Sequence, residues 1–212
     1  MNANPQALSE MVCRQLANFY PDGHEARPSV QQAMAAACAR TSHCVSQVLG
    51  WPRNFDPLHS AHHATFLYHL ANEVGVVLGD RATATRLFLL NKALHGLELF
   101  YDVEMPEVFA LSHTTGLVFA KATFGNQLVF HQNCTVGRKA DGHRPVFGNR
   151  VVMYPGSMVI GNCQVRDRTV IAPGVCLVDT DTPGDCYVLP GEAGRPVFKA
   201  LKKDVWRTYF VS

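Results

Sequence analysis

The chain has 212 residues, 47% of them apolar and 17% charged. That apolar share can offset the entropy of ordering and excludes a disordered chain. Nineteen basic against seventeen acidic residues give +2, too small an excess for a dedicated nucleic-acid binder, and no apolar run reaches the ~18 residues of a membrane span.

The opening, MNANPQALSE, lacks a basic start followed by an apolar core, so no signal peptide is expected and the chain reads as cytoplasmic. A first helix is expected from Gln6 to Phe19, before Pro21. Ser29 is expected to cap a second, running to about Leu49 and closed by Gly50, Trp51 and Pro52. Phe66, Leu67, Leu70, Val74 and Val77 recur at helical spacing and predict a third helix over 60–78. After Gly79-Asp80, Leu87, Leu90, Leu94 and Leu97 predict a fourth over 81–100. Residues 1–110 hold seven basic and ten acidic residues, summing to −3; residues 111–212 hold twelve and seven, summing to +5. The expected fold is α+β. It comprises a helical N-terminal domain (1–104), a left-handed parallel β-helix (105–190) with an ejected loop (137–146), and a C-terminal tail (191–212).

The β-helix follows from a period of six. Val118, Phe124, Phe130 and Val136 are six apart, and Phe147, Met153, Val159, Val165, Ile171 and Leu177 resume the series. A helix has period 3.6 and a strand period 2, so neither yields one large apolar residue every six. A short strand plus a tight turn does, and three such units close one triangular coil whose sixth-position side chains stack as a spine. From Val136 to Phe147 is eleven residues, so about five leave the coil as a loop around Arg138–Arg144. The segment from Ala193 is expected to leave the prism after Pro183-Gly184 and pack along it.

The seven cysteines form no CxxC pair and read as reduced, mostly buried thiols. His59, His62, His63 and His69 read as solvated or locally bonded, and His95 as packing between helices. His113 and His131 are eighteen apart, one coil, and are expected to stack on one corner; His143 lies on the ejected loop.

Ser112-His113-Thr114-Thr115-Gly116-Leu117-Val118 resembles the His-x-Thr-Gly-Ile-Val stretch of serine acetyltransferases. Gln132-Asn133-Cys134-Thr135-Val136-Gly137 resembles their Gln-x-Val-Thr-Leu-Gly segment, and Gly142-His143-Arg144-Pro145 their Arg-His-Pro loop. The later Gly161-Asn162 and Ala172-Pro173-Gly174 fit too, so the resemblance covers about residues 98–190. It implies transfer of acetyl from acetyl-CoA to the hydroxyl of L-serine. It also implies homotrimers, or hexamers built as dimers of trimers, with active sites between neighbouring prisms.

By the same resemblance His113 is the catalytic base, His143 a second active-site histidine, and Asp102 the carboxylate that orients the base, with Glu104 as a rival. A neutral alcohol is a poor nucleophile, so an imidazole that takes its proton suits this chemistry, and a carboxylate can fix the tautomer. Gly156, Ser157, Ala172, Gly174 and Lys199 are implied for the cofactor. Arg166, Arg168, Arg195, Lys202 and Lys203 join Lys199 as a basic group suited to its phosphates.

Two departures stand out. Ser112 replaces the family's usual Asp before the base, and Gly142 its usual Arg before the loop histidine. Arg144 and Asp56 are the expected substitutes for binding a zwitterion. A sugar hydroxyl of a surface polysaccharide is therefore an alternative acceptor. A zinc enzyme of the carbonic anhydrase type using His113, His131 and His143, and a non-catalytic scaffold, are further alternatives. The main reading expects no metal, nucleic acid or membrane partner.

Overall fold

The computed structural model describes residues 4–211. Residues 1–3 of the opening and Ser212 of the expected tail lie outside the described residues. Four helices come first: α1 (Pro5–Phe19), α2 (Arg27–Ser46), α3 (Ser60–Asn72) and α4 (Arg81–His95). Asn4 caps α1 by accepting from Gln6 N, and Leu8, Val12 and Leu16 form its buried stripe. Ser29 does not cap α2, as had been expected; it lies inside the first turn and donates to Asp80 Oδ2 at 2.6 Å. Asp80 in turn caps α4 through Thr83 N.

Every residue of α3 from Ala61 to Ala71 is buried, which makes it the central helix. It passes into a π-helical turn, Glu73–Val77, rather than running regularly to residue 78. Gly75 in that turn faces Tyr101 so closely that a Cβ would lie 2.5 Å from its ring. Helix α4 stops five residues short of the expected end. Gly96 adopts a left-handed φ of 63°, and the following Leu97–Leu99 forms a strand instead.

The rest is a three-sided parallel β-solenoid. Side A stacks Phe109–Ser112 (β2), Leu128–His131 (β5), Val152–Met153 (β8), Thr169–Ile171 (β11) and Cys186–Pro190 (β13). Side B stacks Leu97–Leu99 (β1), Leu117–Phe119 (β3), Thr135–Gly137 (β6), Met158–Ile160 (β9) and Cys176–Val178 (β12). Side C has only Thr123–Phe124 (β4), Val146–Phe147 (β7) and Gln164–Val165 (β10). In the regular coils partners are eighteen apart, as Val152 with Val170 and Met158 with Cys176, which is the three-hexad coil. Strand β1 pairs with β3, so the solenoid begins within residues 97–99.

The spine holds from Phe124 onward. Phe130, Val136, Phe147, Met153, Val159, Val165, Ile171 and Leu177 are all buried in one core. Phe119, Phe124, Phe130 and Phe147 pack ring against ring, Phe119 and Phe130 with centroids 4.8 Å apart. Val118 does not belong to it. It is 38% exposed, while its neighbours Leu117 and Phe119 face inward, and Phe119 is the partner of Val136. The cause is a change of coil length. Ser112 and His131 are paired, as are Val118 and Thr135, so the corner after β2 carries two more residues than the corner above it.

The prism does not end at Pro183-Gly184. Strand β13 still pairs in parallel with β11. The chain then reverses, and Pro196–Ala200 (β14) adds antiparallel to β13. A 3-10 turn, Val205–Thr208, follows. Trp206 and Phe210 cover an apolar column on the outer face of side A: Val108, Ala110, Val129, Val152 and Val170. The helices form a separate core of their own. No described helix is long and apolar enough to cross a membrane.

Candidate active site

His113 sits on the lengthened corner between sides A and B, exposed and at a φ of 55°. The corner is tied to the end of α4. Thr114 Oγ1 donates to His95 O at 2.9 Å and Gly116 N to Gly96 O at 3.0 Å. Gly116 has a φ of 75°, and a Cβ there would meet Asn133 Oδ1. Asn133 N donates to Thr115 O, closing the corner against the one above. The imidazole of His113 itself makes no hydrogen bond with any described residue.

Asp102 does not orient that ring within the chain. One of its oxygens, Oδ2, pairs with Lys121 Nζ at 2.6 Å. The other, Oδ1, is buried and accepts no hydrogen bond. Glu104 is exposed.

The ejected loop leaves between β6 and β7, as expected. Lys139 Nζ grips Asp179 Oδ2 at 2.6 Å, which anchors the loop along the edge between sides B and C. His143 is exposed there, its Nδ1 3.1 Å from Asp141 Oδ1. The two candidate histidines therefore stand on different edges of one prism, with side B between them. Arg144 is exposed beside His143. Asp56 lies in the turn before α3, where its Oδ1 accepts from Leu58 N at 2.9 Å. Ser112, at the end of β2, is half-buried.

His131 is not stacked on His113. Its rung partner is Ser112, because of the longer corner below. It is half-buried, and burial together with the charge of His113 pushes its pKa down. Its ring lies on Tyr154, and its Nε2 is 3.3 Å from the hydroxyl of Tyr209. Tyr209 was missed by the sequence reading. The aromatic cluster Trp206, Tyr209, Phe210 in a polar segment was the available signal.

Above His113 the same edge is built of small turn residues. Gly156 N donates to Gln132 O and Gly174 N to Pro155 O, so the Pro-Gly corners stack in line. Gly174 has open space on its Cβ side, and at Gly156 the nearest atom is 4.0 Å away. Ala172 leads into the upper corner, half-buried. Ser157 is fully buried and its hydroxyl faces Cys134 Sγ at 3.5 Å, so it is not presented to the groove. Of the basic group, Arg166 is bonded to Thr182 O, and Arg168 pairs with Asp185 and lies over Trp206. Arg195, Lys199, Lys202 and Lys203 are exposed and form no ion pair with described residues.

All seven cysteines are free, and burial raises the Cys134 thiol. Among the described residues no three metal-ligating side chains converge. Clefts of about 420 and 430 Å³ open elsewhere, beside His69 and beside Arg166, and neither is lined by His113 or His143. His62, His63 and His69 are not solvated but buried; His69 bonds Thr41, and His63 bonds His95 at 2.9 Å.

The fold defines a class, the parallel β-solenoid preceded by a helical domain. Within it the resemblance to serine acetyltransferases holds in both sequence and structure. No family model matches the chain. The chain is 30% identical over 115 residues to a serine acetyltransferase of Synechococcus elongatus, a match covering 52% of this chain and 46% of that protein, so about half the relative's length. The serine acetyltransferase structure from Vibrio cholerae is similar with a TM-score of 0.69 at 17% identity, over 86% of this chain and 74% of that one. The Brucella abortus serine acetyltransferase solved with coenzyme A gives 0.70 at 18% identity, over 94% and 84%.

Proposed function

We propose that the chain is a CoA-dependent O-acetyltransferase whose acceptor is the hydroxyl of L-serine or a serine-like molecule, with His113 as general base. The observation that carries this reading is the placement of His113. It is exposed on a lengthened corner at the foot of an edge of open Pro-Gly turns. Its unbonded imidazole is free to take the proton of an acceptor hydroxyl as oxygen attacks the thioester carbonyl. The same imidazolium then returns the proton to the departing thiolate, so no protein nucleophile is required. Such a base supplies about 10²- to 10⁴-fold, and holding both substrates in line supplies more. The relative solved with coenzyme A supports the thioester donor. Arg195, Lys199, Lys202 and Lys203 are exposed, form no ion pair with described residues and suit its phosphates, while Gly156, Ala172 and Gly174 line the edge. Ser157 contributes packing.

The positions of His113 and His143 on separate edges favour a homotrimer in which the loop of one prism meets the corner of the next. Asp102 then acts on the base only if Lys121 releases it. A sugar hydroxyl is the second reading, favoured by Ser112 and Gly142, which lack the charges that serine acetyltransferases usually place at these two positions. The test is a panel of serine, homoserine, amino sugars and nucleotide sugars with acetyl-CoA, followed by free thiol release. Turnover with serine is expected. Turnover with sugars alone would move the reading to the second acceptor, and turnover with none would overturn it.

A further inference from the structure

The outer face of side A carries a polar cluster assembled from three distant segments. His131 lies flat on Tyr154, centroids 5.0 Å apart and planes 19° from parallel. Tyr209 donates its hydroxyl proton to the Tyr154 hydroxyl at 3.2 Å. A phenol has a single proton. With that proton directed at Tyr154, Tyr209 can only accept from His131, 3.3 Å away. His131 therefore carries its proton on Nε2 and keeps Nδ1 as a lone-pair acceptor. Tyr209 is fixed from behind as well. Its carbonyl accepts from Leu49 N at 2.7 Å, and Val211 N donates to Gln47 O at 2.9 Å, so this segment also ties the end of α2 to the prism.

We infer that Tyr209 is a positioning residue of the His113 site, which holds the His131 imidazole neutral and in one tautomer beside the candidate base. This rests on the reading of His113 given above. His131 is on the rung next to Ser112, the residue before His113. The titratable groups that face it are His113 from the corner below, Tyr154 from the turn after β8 and Tyr209 from the C-terminal segment; the Cys134 thiol meets only its backbone. No carboxylate bonds to it among the described residues. A positive His131 would oppose the imidazolium that forms on His113 as the hydroxyl loses its proton, since neighbouring like charges disfavour each other. Packing of the Tyr209 ring against His131 withholds water from it, and that burial, not the hydrogen bond, disfavours its charged form.

The experiment is ¹⁵N imidazole NMR through a pH titration of the full chain, its Tyr209→Phe and Tyr209→Ala forms, together with the pH profile of thiol release. In the unsubstituted chain His131 is expected to stay neutral, protonated on Nε2, below the ordinary imidazole value of about 6.5. Tyr209→Phe keeps the packing and loses the acceptor, so the Nδ1-protonated tautomer is expected to appear. Tyr209→Ala exposes the ring, so its midpoint is expected to rise toward 6.5. Both imidazoles must then be neutral, and the acid limb of kcat/KM is expected to steepen from one proton to two, an extra loss of about tenfold one pH unit below the midpoint. His131→Phe added to Tyr209→Ala is expected to return the limb to one proton. An unchanged His131 tautomer in Tyr209→Phe, or an unchanged midpoint in Tyr209→Ala, would overturn the inference. Absence of acetyl transfer by the unsubstituted chain would sink the functional reading instead, while the NMR still decides what Tyr209 does to His131.

Discussion

At the corner between Ser112 and Leu117 a histidine occupies backbone space that suits glycine. The φ of 55° at His113 places a Cβ in the left-handed region, at a cost of roughly 1–2 kcal/mol. Other described corners share this backbone, Asn133 with a φ of 60° on the corner above and Gln127, Arg150 and Arg168 with 57–58° elsewhere, so it is a demand of the solenoid's turns that His113 meets. Two outcomes follow for this one position. His113→Ala is expected to lower kcat for thiol release by about 10²- to 10⁴-fold. His113→Gly is expected to be equally inactive yet to raise the thermal midpoint, with about 1 kcal/mol gained. A melt showing lower stability for the glycine form would mean the imidazole is a packing group. His143 was legible in the sequence as a residue of the loop that interrupts a rigid repeat, whereas His113 was legible only through the resemblance of its segment to serine acetyltransferases. The pairing of Asp102 with Lys121 was not, because those residues meet only when β1 and β3 are stacked.

Among the elements, the hexad repeat and the helices respond differently to disruption. Phe130 fills the prism between Phe119 and Phe147. Phe130→Ala is expected to cost about 3–5 kcal/mol, read as a loss in the urea midpoint. The edge between sides C and A is held by a ladder of short polar side chains. Asn149 Oδ1 accepts from Asn126 N, and Asp167 Oδ1 from Asn149 N. The helical core carries the acid sensitivity. Burial holds His62 and His63 at about 4 and His69 at about 3. These folded-state values lie below the unfolded one, so the folded chain refuses protons that the unfolded chain accepts. Stability is therefore full above about pH 6.5 and falls as pH drops toward 4 and 3, by up to about 1.4 kcal/mol per pH unit for each histidine. Urea unfolding from pH 7 to pH 4 checks the sign; a stability that rises toward pH 4 contradicts it.

For the molecule as a whole, the two candidate histidines occupy different edges of one prism, and this has a direct test. Chains carrying His113→Ala and chains carrying His143→Ala are each expected to be nearly inactive. Unfolded together and refolded, they are expected to regain a fraction of the turnover, because some interfaces then pair an intact corner with an intact loop. No recovery would place both histidines in one chain's site or remove one from it. The sequence by itself determined the prism, its spine from Phe124 to Leu177 and the ejected loop, because each is a local repeat or its interruption. It also determined three helices closely. Helix α4 was read five residues too long, since Leu97 and Leu99 keep an apolar spacing that a strand satisfies equally well. Only the tertiary structure decided the register of the first coil. Two extra residues at the His113 corner shift every partner below Phe124, exposing Val118 and placing His131 over Ser112. The C-terminal segment was likewise decided in three dimensions. Trp206, Tyr209 and Phe210 have no periodicity of their own, and they acquire their partners from an apolar column that exists only once four strands are stacked.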